Sequence, residues 1–221
     1  MVMTPEELTS QYPRLYHMAE RESWPSVQRL GLLSTVRLLD AFEVQEPLRT
    51  SILGSRRTRS YEISHPLYGT AVVRDQLPLN TAVLDGVLTD MGVAEWLGLL
   101  NTRVFFWLTE ERVNTLLNAR AYRDREHDCI QVDTAKLLSE YADRMTLSPI
   151  NSGSTLFNPR PRGSQTFLPI GVYPFEQRAK ARGARHAVVE LAVNGGVYDV
   201  EQFAVCVERR HRSTVVRTLW K

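Results

Sequence analysis

Apolar positions along this chain recur with two rhythms, one helical and one alternating, and the switches between them predict short helices and strands interleaved. Thr4 to Gln11 predicts a leading helix, capped by Thr4 with Pro5 at its first position. Leu15-Tyr16-His17-Met18 follows as a short strand ending on a histidine. In Ser23-Trp24-Pro25-Ser26-Val27-Gln28-Arg29-Leu30-Gly31, Ser23 is a candidate N-cap and Pro25 lies in the first turn. Trp24, Val27 and Leu30 share one helical face there, and Gly31 supplies the left-handed residue that ends the helix. Two more helical pieces are predicted over Ser34 to Phe42 and Glu46 to Leu53. Strands over Tyr61 to Ser64 and Gly69 to Val73 flank a turn at His65-Pro66-Leu67-Tyr68. Thr81 to Leu100 has a helical pattern, with Val83, Leu84, Val87 and Leu88 on one face and a break at Gly92.

The unbroken run Val104-Phe105-Phe106-Trp107-Leu108 after Arg103 predicts a strand covered on both sides. Thr109 caps a helix over Glu110 to Ala121, with Val113, Leu116 and Leu117 inward. Cys129 to Val132 predicts a strand, and Thr134 to Tyr141 a helix. Ser148 to Gln177 is rich in glycine, proline, serine and asparagine, and predicts a long ordered surface loop of the kind that carries function. Two last strands, His186 to Val193 and Gln202 to Glu208, flank Asn194-Gly195-Gly196, a hairpin-type turn signal. No repeat or low-complexity tract interrupts this order. It predicts one α+β domain over residues 1–221, with a mixed, mostly antiparallel central sheet flanked by helices.

Composition adds limits. The 221 residues are 43% hydrophobic and 24% charged, with a net charge of +2, which suits one globular domain and does not announce a nucleic-acid binder. The positive charge is clustered instead: Arg56, Arg57 and Arg59; then Arg178, Lys180, Arg182 and Arg185; then Arg209, Arg210, Arg212, Arg217 and Lys221. Such clusters either hold phosphates or form solvated faces. The two cysteines, Cys129 and Cys206, lie in apolar strand-like runs. They read as small buried hydrophobes in a reducing, cytoplasmic setting. No apolar run reaches membrane-spanning length, and the polar, acidic N-terminus does not read as a signal peptide.

Glu190 is the side chain whose position asks for an explanation. In Ala187-Val188-Val189-Glu190-Leu191-Ala192-Val193 it shares a strand face with Val188 and Ala192, with no local cation. An unpaired buried carboxylate costs several kcal/mol, so Glu190 either pairs with a distant arginine or lines a cleft. His17, set between apolar neighbours beside a rigid helix, is either a hydrogen-bonded core histidine or a positioned ligand group. Asn151-Ser152-Gly153-Ser154-Thr155 has the makings of a backbone phosphate nest or of a plain turn. It lacks the Lys-Ser/Thr of a P-loop, so nucleoside triphosphate hydrolysis is unsupported. The scattered histidines, His17, His65, His127, His186 and His211, show no metal-ligand spacing, and no Gly-x-Ser-x-Gly elbow occurs.

The Tyr16-His17 strand and the Pro25-Ser26-Val27…Leu30-Gly31-Leu32 helix resemble the opening of ADP-ribosyltransferase-like domains, most of all the DarT family. Val189-Glu190-Leu191-Ala192-Val193 is similar to that family's late glutamate strand, and Val104 to Leu108 to its central aromatic strand. The resemblance covers the order of elements over most of the chain, and is closest to bacterial domains of unassigned activity. It implies an NAD-consuming transferase acting on a macromolecule such as a nucleic-acid base, DNA or RNA held by the basic clusters, or a protein. A toxin of that kind would have an antitoxin partner. Glu190 is then the catalytic carboxylate and Arg74, which closes the apolar run Ala71-Val72-Val73, holds the NAD diphosphate. Arg57 and Arg59 compete for that role but sit in a run that reads as exposed. His17 positions a ribose, Ser34 and Thr35 offer contacts to the nicotinamide amide, and Phe106 and Trp107 offer rings to stack on it.

Thr109-Glu110-Glu111-Arg112 departs from the DarT pattern, which carries a proline-containing turn there. RNA 2′-phosphotransferases share the opening, but a late-strand glutamate argues against them. The alternative is a non-catalytic nucleotide- or partner-binding protein that retains the fold.

Overall fold

The computed structural model describes residues 1–221. From the N-terminus come α1 (Pro5–Gln11), β1 (Arg14–Glu20), α2 (Trp24–Leu30), β2 (Leu32–Leu33), α3 (Thr35–Ala41) and α4 (Leu48–Gly54). The hairpin β3 (Tyr61–His65) and β4 (Gly69–Val73) precedes α5 (Thr81–Asp85), α6 (Val93–Asn101), β5 (Arg103–Trp107) and α7 (Glu110–Leu117). Then follow β6 (Glu126–Asp133), α8 (Thr134–Tyr141), β7 (Met145–Ser148), β8 (Leu168–Pro169) and α9 (Phe175–Arg182). The last strands are β9 (Glu190–Asn194), β10 (Gly196–Val197), β11 (Ala204–His211) and β12 (Thr214–Trp220).

Local chemistry explains most of these limits. Thr4 accepts from the Glu7 amide while the Glu7 carboxylate accepts from the Thr4 amide, so α1 starts on a reciprocal capping box. The helical pattern over 81–100 divides into α5 and α6, with residues 86–92 outside both and Gly92 at the second N-cap. Ser23 does not cap α2 through its side chain: its hydroxyl donates to the Glu20 carbonyl at 2.6 Å. The Trp24 amide is met instead by Asp128, a carboxylate on β6, at 3.3 Å.

The eight-stranded sheet has the order β12-β11-β6-β1-β5-β9-β7-β8. All its pairings are antiparallel, which corrects the expected mixed sheet. The chain keeps returning strands in the opposite sense, and the single parallel contact, Leu88 with Arg162, is an isolated bridge outside the sheet. Asn194-Gly195-Gly196 does not close a hairpin between the last predicted strands. β9 lies between β5 and β7, whereas β11 lies between β6 and β12. The turn instead carries β10 across β2. There Gly31, at φ 86°, comes so near that a Cβ on it would lie 2.6 Å from the Val197 carbonyl oxygen.

Other differences follow from burial. Residues 184–186 form a single 3-10 turn and the strand begins only at Glu190. Residues 148–177 are no loop riding over the surface: Ile150, Ser152, Thr155, Arg162, Phe167, Ile170 and Tyr173 are buried. β12, with a single basic residue, Arg217, was not among the predicted strands. The third basic cluster is partly internal, since Arg209 bonds Asp128 at 2.9 Å and Arg210 bonds Glu208 at 2.6 Å, and both arginines are buried. Cys129 is buried, but Cys206 is only half-buried beside an irregularity in β11. The largest core cluster joins Leu15, Ala19, Val104, Phe106, Leu191 and Val193 across β1, β5 and β9. No helix is long and apolar enough to cross a membrane.

Candidate functional site

β1 pairs with β6 along seven residues but meets β5 at one pair, Tyr16 opposite Trp107. On its other side Trp107 lies opposite Glu190 of β9. Tyr16, Trp107 and Glu190 therefore form a row across three neighbouring strands, about 10 Å wide at ordinary strand spacing. Where the β1–β5 ladder stops, the His17 ring replaces it: Nδ1 lies 2.8 Å from the Phe105 carbonyl oxygen. A cavity of about 340 Å³ opens at this parting of the sheet. Its walls include His17, Arg74, Trp107 and Glu190, with Thr35 from α3 and Ser152 from the loop after β7.

A carbonyl oxygen only accepts, so the proton of His17 sits on Nδ1 and the neutral ring keeps Nε2 as a bare acceptor. Burial pulls the His17 pKa down to about 4; the bond to Phe105 opposes this and the Arg74 charge adds to it. Arg74 follows β4 and is held from three sides. Its Nη1 donates to the Met18 carbonyl at 2.8 Å, its guanidinium lies 5.0 Å from the Tyr122 ring centroid, and its Nε is 3.6 Å from Glu20. That Nε and the facing Glu20 Oε2 are buried without a hydrogen-bond partner. Burial lowers the Arg74 pKa from its ordinary value, against the pull of Tyr122, Glu20 and Asp75.

Glu190 is 4% exposed, and its Oε2 accepts from the Ser152 amide at 3.0 Å. Burial pushes its pKa up to about 7, although the Ser152 bonds and the charges of Arg162 and Arg112 pull it down. Of the two alternatives its strand position left open, Glu190 takes the cleft: it makes no ion pair, and Arg162 and Arg112 act on it only through their charge. One amide of the segment 151–155, that of Ser152, is taken by this carboxylate, which favours the plain turn of the two alternatives over a phosphate nest.

Phe106 borders the cavity, but its side chain is fully buried in the main core, edge-on to His17. Strand alternation puts Trp107 on the other side of β5, half-buried at the cavity wall. Ser34 is also withdrawn: its hydroxyl accepts from the Arg37 amide as the α3 cap and its amide donates to the Gly195 carbonyl. Arg57 is not exposed but buried, bonding the Arg74 and Ile52 carbonyls and Asn101, so it ties loops together. Arg59 is exposed and lies 5.3 Å from the Tyr61 ring.

Sequence reading missed Arg112 and Arg162, the cations near Glu190, because both are remote from it along the chain. The one local signal was Arg112 in the segment that departs from the DarT pattern.

No curated protein matches the chain. Residues 13–204, from the approach to β1 through the first residue of β11, match a family model described as a family of unknown function (DUF7002). The chain belongs to that family.

Proposed function

We propose that this protein is an NAD-dependent ADP-ribosyltransferase with an ADP-ribosyltransferase-like fold and Glu190 as its catalytic carboxylate. The observation that carries this reading is the gathering of His17, Arg74 and Glu190 on one cavity at the parting of β1 and β5. The residues suit the substrate. Trp107 offers a ring face to nicotinamide, the bare Nε2 of His17 accepts from a ribose hydroxyl, and Arg74 faces the diphosphate. Thr35, at the first turn of α3, borders the nicotinamide end.

In the reaction the bond between nicotinamide nitrogen and ribose C1′ breaks, and its electron pair leaves on the nicotinamide. Positive charge grows on the ribose, and the Glu190 anion stabilises it. An acceptor O–H or N–H then bonds to C1′, and its proton passes to Glu190. A carboxyl that titrates near neutrality is suited to both tasks. The acceptor is a macromolecule such as a nucleic-acid base.

The closed Ser152–Glu190 bond favours a second reading, a non-catalytic nucleotide-binding module in which the carboxylate only braces the loop. Incubation with ribose-labelled NAD and cell extract separates the two. The expected result is label on one macromolecular class, with the initial rate lowered about 10³-fold in Glu190→Gln. NAD binding without transfer by either protein supports the module, and absence of NAD binding overturns both.

A further inference from the structure

Across Asn151 from the cleft lies a second cavity, of about 370 Å³. Four guanidiniums line it, from Arg112, Arg160, Arg162 and Arg182, and no aspartate or glutamate does. None of the four makes an ion pair anywhere in the chain; the ion-paired arginines are others. Their hydrogen bonds go to carbonyl oxygens. Arg112 donates to Arg185, Arg182 to Pro149, and Arg162 to Arg160, Ser152 and Ser154. Arg160 is exposed and its side chain makes no hydrogen bond.

Arg162 is 3% exposed, and its Nε and Nη1 donate to carbonyls, which leaves Nη2 free of protein partners. Two other buried arginines, Arg209 and Arg210, are neutralised by carboxylates. Here four arginines without an ion pair gather in one concave site, with Glu190 of the adjoining cleft acting on Arg112 and Arg162 only through its charge, and an anionic ligand would stabilise the arrangement. Guanidinium forks match the oxygen geometry of phosphate. At the mouth stands Phe157, 96% exposed and held at φ 54°. That backbone conformation is unfavourable for a bulky residue, and it presents a flat apolar face beside the arginines.

We propose that this cavity is a phosphate-binding site, separate from the NAD cleft, that receives a phosphoryl group of the acceptor substrate and stacks the acceptor's neighbouring ring on Phe157. The phosphate site stands on its own residues; its assignment to the acceptor rests on the transferase reading. Asn151 borders both cavities, so the arginine site adjoins the cleft that Glu190 lines.

The test measures binding of inorganic phosphate, and of a nucleoside monophosphate, by calorimetry without NAD and at matched ionic strength. The expected result is saturable binding of phosphate, weakened roughly tenfold by Arg160→Gln/Arg182→Gln, the loss of charge-assisted bonds. Tighter binding of the monophosphate that falls to the level of phosphate in Phe157→Ala is expected as well. Arg160→Gln alone removes no bond of the folded chain and gives a smaller loss in the same direction, should the double variant not fold.

Absence of phosphate binding, or equal binding by the variants, overturns the site. A short phosphodiester strand lacking terminal phosphate distinguishes the source: competition assigns an internal phosphate, and none assigns a terminal one. Phosphate binding by a protein that fails to bind NAD leaves the site standing and overturns its assignment to an acceptor.

Discussion

Glu190 and His17 titrate in opposite senses, and the two signs make their burial measurable. Glu190 rises from an ordinary 4.5 to about 7, so the folded chain retains a proton that the unfolded chain has released. Its contribution to stability is present below the lower value and is lost as pH climbs through the higher one, by on the order of 3 kcal/mol. His17 falls from 6.5 to about 4, so its contribution is present above the higher value and is lost as pH falls through the lower. The two offset each other where the windows overlap. Glu190→Gln keeps an oxygen to accept from Ser152 and removes one sign. Urea unfolding across the two windows should show the variant gaining on the wild type as pH rises. A difference independent of pH would mean that Glu190 is not buried as a titrating acid. His17→Ala removes the opposite sign together with the acceptor Nε2, and is expected to weaken NAD binding roughly tenfold in a calorimetric titration.

Among the elements, the crossing of β2 and β10 is the tightest constraint. Gly31→Ala would place a Cβ 2.6 Å from the Val197 carbonyl oxygen at a φ of 86°, and should cost about 1–3 kcal/mol. Gly98, inside α6, has nothing within 4 Å of a built Cβ, so Gly98→Ala should stabilise by about 0.4–1 kcal/mol. Thermal melts of the pair check both directions, and equal shifts would remove the argument. α2 and its closing glycine were legible because the spacing of Trp24, Val27 and Leu30 and glycine chemistry act over a few residues, although the Ser23 side chain does not cap the helix. The destination of β10 was not, since Asn194-Gly195-Gly196 carries the same turn signal whether the following strand returns to β9 or crosses to β2.

Long-range pairing extends the same lesson to the sheet. Asp128 on β6 joins Arg209 on β11 and the Trp24 amide at the start of α2. Arg209→Met strands a buried carboxylate and should cost about 3–5 kcal/mol in urea unfolding. Adding Asp128→Leu should recover only part of this, because the α2 amide then loses its acceptor; full recovery would show that the cap carries no weight. Most of the helix and strand order through α8, the caps of α1 and α7 and the oddity of Glu190 could be read from the chain, because each depends on neighbours a few positions apart; β7, β8, α9 and β12 could not. The antiparallel sheet, the parting of β1 from β5, the burial of Phe106 beside the half-open Trp107, and the arginines around Glu190 could not. Those depend on which distant segments meet, a choice made by burying apolar area and satisfying polar groups across the entire fold, and local periodicity carries no record of it.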